Sequence, residues 1–288
     1  SLMAKYAPFE AEAGTGVRVG VIDTGVGPHS DLTVAGGACF ISKEERNDFQ
    51  DNGLGHGTHV AGIIAAKRSG GGVYGLAPAC TLLAYRVFPR TGETDMAAEL
   101  DVAAALEQAI SDKCDLVNIS LGSLQAMPKL PDLLEDARNA GIVVLAATGN
   151  DGRQLLRYPA RYSSTLGVGA LGRDATFPSS APLKQNGLAR VQDEFVAGFS
   201  NHGVGTDFIG VGVAVLSTYP GNRYAMMSGT SMATPFTTGM AARLLSKAPD
   251  VLSMERNAAR TDAIVGMLSR EARRGEWAAV FSGFGVLQ

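Results

Sequence analysis

Five short, almost unbroken apolar runs constrain this 288-residue chain more than any other feature: Val17 to Ile22, Thr81 to Phe88, Asp115 to Ser120, Ile142 to Ala147 and Thr165 to Leu171. A strand with one wet face alternates polar and apolar residues. A run that is apolar throughout suits a strand covered on both faces, the usual condition in a parallel sheet. Between the runs the pattern is helical. His56 to about Lys67 is built of small and apolar residues. Leu100, Ala103, Leu106 and Ile110 recur at helical spacing between an N-cap candidate at Asp95 and Lys113, Pro131 opens a segment ending at Gly141, and Phe236 to Leu245 is apolar. Strands alternating with helices predict an α/β fold on a mostly parallel sheet. Asp207 to Ser217 reads as a further strand region, and Thr261 to Arg274 as an amphipathic surface helix. Trp277 to Val286 reads as a last strand or packed tail. Cys39–Gly53 and Phe177–Glu194 are polar and charged, so both are predicted to run over the surface, the second as an insertion. One domain over residues 1–288 is the simplest organisation for 29.9 kDa.

Composition narrows the function. Hydrophobic residues at 45% and charged residues at 18% suffice for a sizeable core. A net charge of −3 with scattered Lys and Arg offers no basic face for nucleic acid. No apolar run approaches the roughly 20 residues that span a bilayer, so no membrane partner is expected. Cys39, Cys80 and Cys114 are odd in number and lack CxxC spacing, which indicates neither a disulfide framework nor a zinc site. The cysteines, and the lack of a basic-then-apolar leader after Ser1-Leu2-Met3, lean towards an intracellular setting, with a secreted mature domain as the alternative.

Three glycine-flanked stretches carry chemistry. Asp23 ends the first apolar run, at the strand end where open α/β sheets place their ligand crevice. As a plain turn residue it has a better rival in Asp31, next to Leu32. His56, in Gly55-His56-Gly57-Thr58-His59, falls in the first turn of a predicted helix, with His59 one turn on; the HExxH pattern of zinc peptidases is missing, so no metal is assigned. Ser231, in Gly229-Thr230-Ser231-Met232-Ala233-Thr234-Pro235, sits where loop becomes helix. Free N–H groups and the helix dipole favour negative charge there, which suits a nucleophile that builds an oxyanion. A serine at that place is also an ordinary helix cap.

Together, in the order aspartate, histidine, serine, these stretches resemble the signatures of the subtilisin-like serine proteases, the subtilases of peptidase family S8, over about Val17 to Leu245. The resemblance implies a three-layer α/β fold with helices on both faces of the sheet. It implies a serine endopeptidase in which Asp23 supports His56, His56 takes the proton of Ser231, and an acyl-enzyme forms without any cofactor. By the same resemblance Asn150, in Thr148-Gly149-Asn150, is the side-chain donor to the oxyanion, against a plain turn role. Ser120, Leu121 and Gly122 pair with the substrate backbone, against a plain strand end, and Tyr158-Pro159 resembles a bond that is cis in the family. The expected partner is a protein or peptide substrate and the expected state a monomer.

Where the chain departs from the family, other expectations arise. Many subtilases bind calcium through an asparagine-rich loop. Here Arg68-Ser69-Gly70-Gly71-Gly72 replaces it with no carboxylate nearby in sequence, so that site is expected to be lost, a structural calcium being the alternative. Arg157 stands where the family has a small residue deep in the specificity pocket. A buried guanidinium needs a substrate carboxylate or an internal acid; otherwise its long stem carries it out to solvent and leaves an apolar pocket. Phe236-Thr237-Thr238 follows Thr234-Pro235 in place of histidine and small residues, which predicts altered packing with activity retained. An α/β-hydrolase esterase would need a GxSxG elbow and the chain order serine, acid, histidine. A silent binding protein would need a lost triad member, and a transamidase a water-excluding lid, for which only 177–194 is available.

Overall fold

The computed structural model describes residues 5–68, 72–90, 97–176 and 187–288. The chain runs through β1 (Arg18–Asp23), β2 (Val34–Cys39), α1 (His56–Ala65), β3 (Thr81–Arg86), α2 (Glu99–Ser111), β4 (Leu116–Ile119), α3 (Leu130–Asn139), β5 (Val143–Ala147) and β6 (Leu166–Arg173). It continues with β7 (Ala189–Val191), β8 (Glu194–Val196), β9 (Thr206–Val211), β10 (Val215–Tyr219), β11 (Arg223–Met227), α4 (Thr230–Leu245), α5 (Ala258–Glu271), β12 (Ala272–Arg273) and β13 (Val286–Leu287). The main sheet has the order β2-β3-β1-β4-β5-β6-β8-β7, with β9 also on β6. Its pairs are parallel except β6 with β8 and β7 with β8.

The apolar runs explain the layering. Side chains alternate across a strand, and here both sides are apolar because both are covered. Val19, Val21, Leu82, Ala84, Leu116, Val143 and Leu145 enter one core, together with Val60 and Ile64 of α1 and Phe236 and Leu245 of α4. Their neighbours Ile22, Leu83, Tyr85, Val117, Val144 and Ala146 enter the other, with Leu106 of α2 and Leu134 of α3. The molecule is therefore a three-layer α/β structure. α4 runs through the interior: from Met232 to Arg243 every residue is buried. Close approach is possible partly because Gly239 lets Leu76 and Ile64 come against its backbone, where a Cβ would stand 2.9 Å from Leu76 Cβ.

Several elements differ from the sequence expectation. The predicted start of α2 at Asp95, the turn at Thr91–Glu93 and the glycine loop at Ser69–Gly71 lie outside the described residues. β2 escapes the apolar pattern because Gly36 and Gly37 interrupt it; at Gly37 a Cβ would meet the Ala84 carbonyl oxygen at 2.0 Å, so only glycine lets β3 pair so closely. Asp207–Ser217 is two strands in different sheets, broken at Ala214, whose φ is 51°. β11 pairs antiparallel with β10 as a separate two-stranded sheet.

The surface insertion expected over 177–194 needs correction at its described end, residues 187–194. β7 and β8 form a hairpin added to the main sheet, and Glu194 is buried. Its carboxylate receives Lys5 Nζ and the Tyr6 hydroxyl on one oxygen and Arg273 on the other, so a charge that reads as solvated is neutralised inside. Burial acts to raise its pKa. The hydrogen bonds from Lys5, Tyr6 and Arg273 and the charge of Arg273 prevail and bring it down to about 2. A carboxylate held below its ordinary value stabilises the fold above that ordinary value and loses the effect as pH falls towards 2. Glu194→Gln should therefore lower stability at pH 7 by about 3 kcal/mol, less what solvent screens at half-exposed Lys5. Urea midpoints of parent and variant should converge between pH 5 and about 2; a gap that stays constant across that range would refute the linkage.

Candidate active site

Asp23 closes β1 and His56 opens α1, and the two side chains meet with Asp23 Oδ1 2.7 Å from His56 Nδ1. The Thr24 N–H donates to the same carboxylate oxygen at 2.7 Å, which fixes the carboxylate rotamer. With Nδ1–H directed at the carboxylate, Nε2 is left as the basic nitrogen. Burial pushes the imidazole pKa down, while the charge and hydrogen bond of Asp23, and more distantly Asp51, outweigh it and leave the value above the ordinary one.

The helix that carries His56 has Gly55 as its cap, with φ 79° and no side chain to cap it. Its first N–H groups are satisfied from elsewhere. Gly57 N–H donates to Thr24 Oγ1 at 2.8 Å and Thr58 N–H to Asp51 Oδ2 at 3.2 Å, while Asp51 Oδ1 receives Gly53 N–H and Gly55 N–H. Asp51 thus belongs to the site's support and is buried, although it falls in the predicted surface excursion Cys39–Gly53. Its signal in the sequence was only an aspartate before a glycine turn. His59 is structural: its Nε2 faces the Val215 and Ala225 carbonyl oxygens at 3.1 and 3.0 Å, and burial lowers its pKa to about 4.

Ser231 is the second residue of α4, after Gly229 as cap and Thr230. The cap role open to it in the sequence is therefore taken by Gly229. Thr230 N–H donates to Asn150 Oδ1 at 2.8 Å, and the Thr230 hydroxyl to the same oxygen at 3.0 Å. Both bonds take the oxygen end of the Asn150 amide, so its Nδ2 end is left to face outwards as a donor. The Ser231 N–H has no protein partner among the described residues, because a second helical position has no carbonyl four residues back within the helix. Asn150 and Ser231 thus leave two N–H donors open at one helix start. The Ser231 hydroxyl itself donates to the Ser120 carbonyl oxygen at 2.9 Å; among the described residues no hydrogen bond joins it to His56.

Leu121 and Gly122 line a cleft of about 340 Å³ with His56, Leu54, Phe88 and Met127. Ser123 pairs with Tyr158 across an antiparallel bridge, and the Tyr158-Pro159 bond is cis. Arg157, just before it, runs its stem between Gly122 and Gly149. A Cβ would stand 3.0 Å from Arg157 Cβ at the first and 2.8 Å from Arg157 Cγ at the second. Of the three outcomes open to it, an internal acid meets the guanidinium: Asp151 accepts from Nε at 2.8 Å and from Nη2 at 2.6 Å. Hydrogen bonds from Arg157 hold the Asp151 pKa down at about 2, and Asn201 adds a further donor at 3.0 Å.

No carboxylate is near the glycine loop in sequence, but the fold brings one to its described end. Asp31, 31 residues into the chain and almost fully buried, lies against Gly72, where a Cβ would meet its Oδ2 at 2.5 Å. It is no mere turn residue. Oδ2 accepts the Tyr224 hydroxyl and Oδ1 has no partner among the described residues. Calcium takes roughly six to eight oxygens. One half-occupied carboxylate is a thin set, and among the described residues no cluster of three acidic, histidine or cysteine side chains exists. Asp31 alone falls short of that number, and residues 69–71 lie outside the described residues.

Residues 14–285 match the model of the subtilase family, peptidase family S8. The chain is 44% identical over 236 residues to a thermostable alkaline protease of Halalkalibacterium halodurans, covering 82% of this chain and 58% of that protein. It is 39% identical to Subtilisin Savinase of Lederbergia lenta, covering 82% and 78%, and 39% identical to M-protease of Shouchella clausii, covering 82% and 56%. The chain belongs to the subtilase family of serine peptidases. It spans just over half the length of the first and third of these relatives.

Proposed function

We propose that the chain is a serine endopeptidase, with Ser231 as nucleophile, His56 as general base and then acid, and Asp23 as the group that orients and charges the imidazole. The observation that carries this reading is the partly buried 2.7 Å contact of Asp23 with His56 beside a cleft whose wall grips Ser231. Substrate enters as an extra strand along Ser120, Leu121 and Gly122, where main-chain pairing supplies affinity. A substrate N–H that takes the Ser120 carbonyl oxygen displaces the Ser231 hydroxyl from it, and the hydroxyl turns to His56 Nε2. The Ser231 oxygen then attacks the scissile carbonyl as its proton passes to Nε2. Negative charge gathers on the carbonyl oxygen between Asn150 Nδ2 and the Ser231 N–H; one such donor is worth roughly 10²–10³ in kcat, a range measured in subtilisin, a relative of this chain. His56 returns the proton to the leaving amine, and water repeats the sequence to free the acyl group. No cofactor takes part.

A fluorophosphonate probe tests the reading. It should label one residue, and peptide mass mapping should place the adduct on Ser231. An adduct on another serine, or none in folded protein, would overturn it.

For the residue before the scissile bond, we take the pocket to be floored by the Arg157–Asp151 pair. An arginine already neutralised by a bidentate carboxylate has little left for a second acid. A peptide library should therefore show no enrichment of Glu or Asp at that position. Asp151→Asn should release the guanidinium and raise cleavage after Glu about tenfold relative to Gln, the worth of one charged hydrogen bond. An acidic preference in the parent protein would contradict this account.

A further inference from the structure

The departure from the family pattern at Phe236-Thr237-Thr238 supplies a connection to the nucleophile. Pro235 has no N–H, so the Ser231 carbonyl, four residues earlier in α4, lacks its helical donor. That carbonyl accepts the Ser120 hydroxyl at 2.9 Å, while the Ser231 hydroxyl donates back to the Ser120 carbonyl at 2.9 Å. The two serines form a reciprocal clasp between the substrate wall and the start of the catalytic helix. Having given its one proton to Ser231, the Ser120 hydroxyl must accept from behind, and Asn118 Nδ2 donates to it at 2.9 Å. The Asn118 amide is turned that way by the Thr238 hydroxyl, which donates to Oδ1 at 3.0 Å and shares its proton with the Thr234 carbonyl at 3.0 Å. Thr238, Asn118 and Ser120 are all at most 3% exposed, so water does not compete for these bonds.

We propose that Thr238 is a positioning residue: through Asn118 and Ser120 it sets the register of Ser231 against the wall that holds the substrate backbone. The proposal rests on the peptidase reading above. An amide has two orientations, and the hydroxyl of Thr238 selects one. In the other, Asn118 Oδ1 faces Ser120 and takes its proton, and the Ser231 carbonyl is left without a donor. The helix start and the substrate wall then lose their shared bond, and misplacement by a fraction of an ångström at the attacking atom is costly.

The test compares Thr238→Val, which keeps the shape and removes the hydroxyl, with Thr238→Ser, which keeps the hydroxyl. Thr238→Val should lower kcat and the rate of fluorophosphonate labelling five- to tenfold with KM unchanged, and Thr238→Ser should stay within about twofold of the parent. In a Ser120→Ala background the Thr238→Val change should have no further effect, because the relay is already cut. Thr238→Ala carries the same expectation if the valine variant does not fold. Equal rates in parent and Thr238→Val, additive losses with Ser120→Ala, or kcat and KM changing together would overturn the relay while leaving the peptidase reading intact. A parent protein that is folded yet unlabelled at Ser231 would end both.

Discussion

Ser231→Ala should lower kcat by roughly 10⁶-fold, the loss known for the nucleophilic serine of subtilisin. The hydroxyl is the atom that forms the acyl-enzyme in the proposed mechanism, and among the described residues its one hydrogen bond is to the Ser120 carbonyl. That bond lies at a half-exposed helix start, and alanine is the better helix former. The thermal midpoint should accordingly stay within what about 1 kcal/mol produces. Asn150 and the residue 231 N–H remain, so hydrolysis should persist above the solvent rate through direct attack by water. Steady-state peptide hydrolysis and a calorimetric scan of the same preparation check both parts. A loss below a hundredfold in a folded variant would mean that another group is the nucleophile.

Asp23→Ala should cost about 10⁴-fold in kcat, close to the loss for the equivalent aspartate in subtilisin. Its Oδ1 both holds the Nδ1–H end of His56 and supplies the charge that supports the imidazolium formed during attack. The pH profile gives the sharper signature. In the parent protein burial pushes the His56 pKa down and Asp23 more than restores it, so activity rises with pH through a value above that of free histidine. Without Asp23 only the more distant charge of Asp51 opposes the burial effect. The acid limb of the labelling rate should move to lower pH even as the rate itself collapses. A limb that stays in place would show that Asp23 does not set the basicity of His56.

The residues that could be read in advance share a property: their signal is local. Apolar runs betray β1, β3, β4 and β5, because a strand covered on both faces has no polar register to disguise it. Asp23, His56 and Ser231 stand in glycine-flanked stretches whose tight geometry leaves a mark in neighbouring residues. What escaped depends on partners distant in the chain. Asp51 is tied to Thr24, 27 residues back, Asp151 to Asn201, 50 residues on, and Thr238 to Asn118, 120 residues away. Glu194 shows the same limit from the other side. Nothing around it in the sequence distinguishes a solvated glutamate from one that ties Lys5 and Tyr6 near one terminus to Arg273 near the other.

The passage of α4 through the interior has a consequence for a solution of this protein. The nucleophile rides on the helix that fills the core, so a molecule that opens enough to expose its own chain has also dismantled its attacking group. On the peptidase reading, such a molecule can be cut but can no longer cut. Self-digestion then needs one intact and one opened partner, and its rate follows the product of the two populations. Dilution should slow it with the square of concentration, and any additive that suppresses opening should prolong activity without touching the chemistry.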